Sequence, residues 1–326
     1  MDSGQWLDQV TRVECWRYDA ALTVTLPTRF GPIASRQGLM LRWETNQGIL
    51  YSEAAPFPGL QTQSLSETFL ELQRQLSQPD AIDIATLSPP VSLALGAIAY
   101  RLSEPVLSGS APTVCGLLSE GQPLSPRLAA FDTLKLKLQG NHIEPNAALI
   151  RQVLDGLEST ASLRLDCAGN WSRNDLLTLL AQIPEHRIAY IEDPFAALSD
   201  YSQWTQDFTT PFALDDLASQ WLSQPTLTGG LAALVVKPLV VGFATTQLLA
   251  KAAQRAGIDV VLSSVYESSV QLNFYYWLAQ QWQLSAAQGF DTGQYWQADM
   301  VEHARCDRII RPLMPIEDME YLGRLR

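Results

Sequence analysis

The stretch Leu134-Lys135-Leu136-Lys137-Leu138 decides how the chain is read. Alternation over five residues is the period of a β-strand, with both lysines on one face and the leucines on the other. Alone it would pass for a solvent-washed strand of an antiparallel sheet. The sequence around it argues otherwise. Strand-like apolar segments recur at 163–166, 189–192, 212–215, 234–237, 260–263 and 285–288. Their ends, counted from Lys137 to Ser263, lie 29, 26, 23, 22 and 26 residues apart. Helical patterns at 147–157, 174–183, 245–256 and 270–282 fall between them, the first of the last pair stopping at Gly257 as a helix-ending glycine imposes. A strand every ~25 residues, each followed by a helix, marks a parallel α/β sheet. With 114–118 added there are about eight strands, enough to close a TIM-like barrel.

Upstream the character changes. Residues 22–26 and 38–43 alternate as strands, and Asn46-Gln47-Gly48 turns the chain into a third at 49–53. Residues 27–37, polar and carrying Gly31 and Pro32, read as a mobile loop. Ser64-Leu65-Ser66-Glu67 is a capping box that opens a helix to about residue 78, and a second helix is expected over 92–102. The first hundred residues therefore form an α+β unit.

Lys and Arg number 22 against 34 Asp and Glu, a net charge of −12. That sign argues against a nucleic-acid partner and against an anionic membrane surface. At 47% hydrophobic and 17% charged, the chain can bury a sizeable core. No apolar run approaches the roughly 18 residues of a spanning helix. Met1-Asp2-Ser3-Gly4-Gln5 has no leader pattern. Cys15, Cys115, Cys167 and Cys306 form no CxxC pair. The expectation is a cytoplasmic protein with reduced thiols.

If the leucines of 134–138 face helices, Lys135 and Lys137 point into the barrel, where charge is costly unless partnered or functional. Two such lysines are expected to lower each other's pKa, one way to make an amine a base near neutral pH. Asp166, Glu192 and Asp215 end three consecutive strands, at the face where such barrels carry their active sites. One acid there would be an ordinary helix cap. Three converge and repel, which a divalent cation resolves; three oxygen donors with positions left for water and substrate suit Mg²⁺, with Mn²⁺ as a substitute. No histidine lies near these ends, which argues against zinc. Asp193 and Asp216 diverge from the ligand face and are expected to support or cap. Lys237 ends the next strand, across the mouth from Lys135 and Lys137. Lysines so placed can address opposite faces of one carbon in a small-molecule carboxylate. Ser263, Ser264 and Gly289 end the last two strands, where backbone N–H groups could take a carboxylate. His142, His186 and His303 read as surface residues. GxGxxG, phosphate-loop and GxSxG patterns are missing.

Lys-x-Lys, then Asp, Glu and Asp, then Lys, resembles the muconate-lactonising branch of the enolase superfamily, and within it the o-succinylbenzoate synthases. Arg164-Leu165-Asp166, Ile191-Glu192-Asp193-Pro194, Leu214-Asp215-Asp216, the Ser-Ser-Val-Tyr-Glu-Ser-Ser run at 263–269 and Gly289-Phe290-Asp291-Thr292 carry the likeness. So do Arg36-Gln37-Gly38 and Glu53-Ala54-Ala55-Pro56-Phe57-Pro58-Gly59, so that it covers nearly the whole chain. The chain departs from the pattern at Ala168 (usually Asn), Asp216 (usually Glu) and Val270 (usually Gly). The resemblance implies a (β/α)₇β barrel over 105–299 and a cap over 1–104, completed by the tail from about 300 to 326. It implies Mg²⁺ on Asp166, Glu192 and Asp215, and substrate contacts at Arg164, Ser263, Ser264 and Gly289. Loops at 32–35 and 57–60 would close over a succinyl group. The implied reaction is syn-dehydration of 2-succinyl-6-hydroxy-2,4-cyclohexadiene-1-carboxylate through an enediolate, in menaquinone or phylloquinone biosynthesis. Lys137 would be the base, Lys237 the stabilising charge on the other face, and Lys135 would tune Lys137. The rival in the same branch, an N-acylamino-acid racemase or dipeptide epimerase, uses the same lysines and metal.

Overall fold

The computed structural model describes residues 5–28, 30–78, 82–105, 110–119, 121–227, 229–302 and 309–326. It begins with a long hairpin of β1 (Val10–Thr28) and β2 (Gly31–Thr45), to which β3 (Gly48–Ala54) adds. A strand from the C-terminus, Glu320–Arg324, pairs with β1 and completes a four-stranded antiparallel sheet. Residues 27–37, expected as a loop, are instead the far end of the hairpin. Leu26 pairs with Ile33, Pro27 with Pro32 and Thr28 with Gly31. The two prolines share one rung, so their missing N–H groups disturb the ladder at one place rather than two. The Thr28 hydroxyl closes the turn by donating to Gly31 O at 2.7 Å and accepting from Phe30 N at 3.1 Å.

α1 (Leu65–Ser77) opens with the expected capping box: Ser64 Oγ accepts from Glu67 N at 3.2 Å, and the Glu67 carboxylate from Ser64 N at 2.7 Å. α2 (Pro89–Ser103) starts three residues earlier than read, because Pro89 and Pro90 sit in the first turn, where N–H groups have no intrahelical acceptor. α2 is buried nearly all round. One side packs Leu95 and Ile98 on Trp43 of the antiparallel sheet, and the other packs Leu93 and Ala97 on the barrel core. A Cβ at Gly96 would stand 2.5 Å from the Phe243 ring, so only glycine admits that contact.

The second sheet has seven parallel strands in chain order: β4 (Gly116–Leu118), β5 (Thr133–Lys137), β6 (Ser162–Asp166), β7 (Ile188–Glu192), β8 (Phe212–Leu214), β9 (Leu231–Val236) and β10 (Asp259–Leu262). Around it run α3 (Pro126–Ala129), α4 (Ile143–Asp155), α5 (Arg173–Leu180), α6 (Trp204–Asp207), α7 (Ala218–Trp221), α8 (Pro238–Val241), α9 (Phe243–Arg255) and α10 (Ser269–Gln281). The expected eighth strand at 285–288 is reduced to two parallel bridges, Val114↔Gln288 and Ser263↔Gly289. Cys115 N donates to Gln288 O at 2.8 Å and Gly289 N to Leu262 O at 2.9 Å, joining the two edges and closing the barrel. The fold is α/β, a (β/α)₇β TIM-like barrel with an N-terminal α+β cap. No helix among the described residues is long and apolar enough to cross a membrane.

Where strand ends lie only 23 and 22 residues apart, α6 and α7 shrink to about one turn each. Beside α6, aromatic rings fill the space a longer helix would take. The Trp204 ring lies 4.3 Å from Phe208, 4.8 Å from Phe212 and 5.7 Å from Phe195, with Nε1 donating to Thr210 O at 2.9 Å. Trp204→Ala should destabilise by about 3–5 kcal/mol, read as a lower urea midpoint at unchanged slope. A loss below about 1 kcal/mol would show that the cluster is not what holds this side of the barrel.

Candidate active site

The alternation that sends Leu134, Leu136, Leu163, Leu165 and Ile191 into the helix-facing core sends their neighbours inward. Lys135 and Lys137 come from β5, Arg164 and Asp166 from β6, and Glu192 from β7. Asp215, Lys237 and Ser263 lie one residue past β8, β9 and β10. These side chains, with Ser264 and Gly289, line one cavity of about 230 Å³. Every site residue singled out in the sequence is brought together there.

Lys137, Asp166 and Glu192 share a rung of the sheet. Lys135 Nζ reaches between Asp166 Oδ2 at 3.1 Å and Glu192 Oε1 at 2.5 Å. Burial alone would lower this ammonium, but Asp166, Glu192 and Asp215 outweigh it and hold the Lys135 pKa well above its ordinary value. The expected mutual lowering of the two lysines is therefore corrected at Lys135: its nearest charges are carboxylates. Lys237 stands on Asp215, with Asp216 at 3.8 Å. Burial lowers this lysine most, and Lys135 adds to that, but the Asp215 charge and hydrogen bond together with Glu192 hold it above its ordinary value. Burial pushes Asp166 up, but Lys135, Lys137 and Lys237 bring it below its ordinary value. Glu192, 1% exposed, is pushed up to about 8 by burial, with Lys135 opposing and Asp166 and Asp215 reinforcing. Lys137 differs from both other lysines. It is exposed, and no carboxylate among the described residues lies within ion-pair distance of it.

Three carboxylates without imidazole or thiolate form a donor set for a hard divalent cation. No group of three His, Cys, Asp or Glu side chains among the described residues is drawn together as a ready cage. The ammonium groups of Lys135 and Lys237 lie on these carboxylates, which shows that the cluster takes up positive charge. By the chemistry of its donors the set fits Mg²⁺. Cys167 points away into the helix-facing core, and burial raises its thiol, so it adds no thiolate. Asp193 supports the set as expected: its carboxylate accepts from Asp215 N at 3.1 Å and Asp216 N at 2.7 Å, fixing the end of β8.

Residues 124–315 match the family model of enolase C-terminal domain-like proteins. The chain belongs to the enolase superfamily. A curated o-succinylbenzoate synthase of Yersinia enterocolitica is 27% identical over 299 residues, covering 88% of this chain and 91% of that one. Among solved structures, a dipeptide epimerase of Enterococcus faecalis V583 with Mg and L-Leu-L-Tyr superposes with a TM-score of 0.72 at 16% identity, covering 97% of each chain. An o-succinylbenzoate synthase of Thermosynechococcus elongatus BP-1 with Mg in its active site gives 0.65 at 24%, covering 91% of this chain and 98% of that one. Superfamily members typically bind Mg²⁺.

In this enolase-superfamily chain the residues read as substrate contacts are partly engaged already. Arg164 Nη1 donates to Ala287 O at 2.6 Å, and its guanidinium covers the Tyr190 ring at 4.8 Å, tying β6 to the closing segment. The Ser264 hydroxyl meets Gly289 O at 2.9 Å and Thr292 Oγ1 at 2.5 Å. Ala168 has φ +51°. Asn, which the resemblance to the family expects there, tolerates that left-handed conformation better than alanine. Tyr190, Tyr266, Asp291 and Thr292 also line the cavity and were not singled out as site residues. Period-2 reading from Glu192 would have reached Tyr190. His142 and His186 are exposed, while His303 and Cys306 lie outside the described residues.

The cap is clamped to the barrel through two buried charges. The Glu53 carboxylate accepts from the Tyr18 hydroxyl, from Ser268 N at 3.1 Å and from Ser268 Oγ at 2.9 Å. Arg36 donates through Nε to Tyr266 O at 3.1 Å and through Nη2 to Ala55 O at 3.1 Å. Residues 32–35 and 57–58 line a second cavity of about 540 Å³, separate from the one that holds the lysines. Glu53→Ala would leave the Tyr18 hydroxyl and Ser268 N buried without an acceptor, at about 1–3 kcal/mol each. A denaturation series should show a loss of at least about 2 kcal/mol; wild-type stability would mean that the clamp contributes nothing.

Proposed function

We propose that this chain is a Mg²⁺-dependent o-succinylbenzoate synthase, removing water from 2-succinyl-6-hydroxy-2,4-cyclohexadiene-1-carboxylate to give 2-succinylbenzoate. The observation that carries the reading is the inequality of the lysines. Lys137 is exposed and makes no ion pair among the described residues, while Lys237, four strands around the barrel, is held on Asp215. One lysine without an ion pair and one held on a carboxylate suit an elimination that needs a single base. A racemase needs an acid/base on each face of the carbon. The curated Yersinia relative supports the same choice.

Mg²⁺ held by Asp166, Glu192 and Asp215 would stabilise the substrate carboxylate as negative charge builds on it. Lys137 Nζ, as the neutral amine, takes the α-proton. The C–H electron pair enters the ring, and the C–O pair leaves with the hydroxyl at C6. The Lys137 ammonium returns its proton to that hydroxyl, so water departs and the ring gains its third double bond. Lys237 acts from the other face by charge alone, and Lys135 holds Asp166 and Glu192 in place.

The test is stoichiometry. Purified protein with Mg²⁺ should consume the diene and form an equal amount of 2-succinylbenzoate by mass spectrometry. The competing reading is an N-acylamino-acid racemase or dipeptide epimerase, whose fold this chain shares. Racemisation of N-succinyl amino acids without consumption of the diene would establish it.

A further inference from the structure

Tyr266 is a bulky residue in a conformation that favours glycine. Its φ is +59°, and the neighbouring backbone is held so that it stays there. Val265 N donates to the Glu267 carboxylate, Ser268 N donates to Glu53, and Tyr266 O accepts from Arg36 of the cap at 3.1 Å. The side chain is thereby delivered into the cavity with the lysines and acids. Its ring leans on Tyr295 of the barrel at 5.6 Å and on Phe57 of the cap at 6.2 Å. Its hydroxyl has no hydrogen-bond partner among the described residues. A residue wanted only for packing would not need a left-handed backbone; strain maintained at a cavity wall points to a ligand.

We propose that Tyr266 is a specificity-determining residue that contacts the six-membered ring of the substrate, and that Arg36 is a positioning residue acting through it. The inference rests on the synthase reading, because a flat ring carboxylate offers a face for aromatic contact that an aliphatic N-acylamino acid lacks. It makes the cap part of substrate selection through one hydrogen bond to a backbone carbonyl.

The experiment is calorimetric titration of 2-succinylbenzoate, a stable ring carboxylate, into protein with Mg²⁺. Tyr266→Gly relieves the backbone but gives up the ring's contacts with Tyr295 and Phe57, so it should melt somewhat lower while staying folded, and bind about tenfold more weakly. Tyr266→Asn, also tolerant of this backbone, should do the same and covers the case in which the glycine variant misfolds. Tyr266→Phe should stay within about threefold of wild type, since it keeps the ring. Arg36→Lys should weaken binding in the wild-type background and change nothing in the Tyr266→Gly background, a coupling that a merely structural arginine would not show. Wild-type affinity in a folded Tyr266→Gly or Tyr266→Asn protein overturns the proposal. Additive Arg36 and Tyr266 effects remove Arg36 from it. Wild-type protein that neither binds 2-succinylbenzoate nor consumes the diene overturns the functional reading itself, a separate outcome.

Discussion

Lys137→Ala should lower kcat by about 10²–10⁴-fold, the usual worth of a positioned general base. It should also abolish exchange of the substrate α-proton with solvent deuterium. Both follow from Lys137 being the lysine in the cavity without a carboxylate partner among the described residues. Lys237→Arg should behave differently. Guanidinium keeps the charge beside Asp215 but cannot act as a base, and its planar fork will still reduce the rate. Measurable dehydration in Lys237→Arg, with exchange retained, separates one-base elimination from two-base racemisation. Equal collapse of both variants would put a proton-transferring base at Lys237 and remove the asymmetry on which the mechanism stands.

The second large effect is on the acids. Asp166→Asn, Glu192→Gln and Asp215→Asn should each raise the Mg²⁺ concentration for half-maximal activity by at least about 10–100-fold, the loss usually seen when a group that merely supports a metal ligand is removed. Chelator should abolish activity, and Mg²⁺ or Mn²⁺ should restore it. Circular dichroism should change little in the three variants, because the barrel core lies on the other face of these strands. Full activity in one variant, at wild-type Mg²⁺ dependence, would remove that residue from the ligand set.

Much of this was legible because a barrel strand has two faces and a fixed period. Reading every second residue from Lys137, Asp166, Glu192 and Lys237 separates a leucine-rich outer face from a charged inner one, and the structure follows that division. The helix start at Ser64 was legible because its hydrogen bonds are local. What escaped depends on partners distant in sequence. The 27–37 arm carries Pro27, Gly31, Pro32 and Ser35, all turn formers, yet these four residues lie in strands because each faces a partner across the hairpin. The segment at 285–288 reads as a strand but pairs only at Gln288 and Gly289, its place in the ladder being set by the two barrel edges it joins. The direction of the Lys135 shift is not legible because sequence shows only its neighbour Lys137, whereas its ammonium reaches two strands across to Glu192. Tyr266 is not legible as a site residue because its φ of +59° is held by contacts that include Arg36, 230 residues away.

The measurement that tests the central claim most directly is the ratio of two second-order rate constants on the same Mg²⁺-loaded preparation. One is kcat/KM for loss of the cyclohexadiene absorbance. The other is kcat/KM for racemisation of an N-succinyl amino acid, followed by polarimetry. The synthase account predicts that dehydration is the faster by a wide margin. Racemisation far faster than dehydration would contradict it.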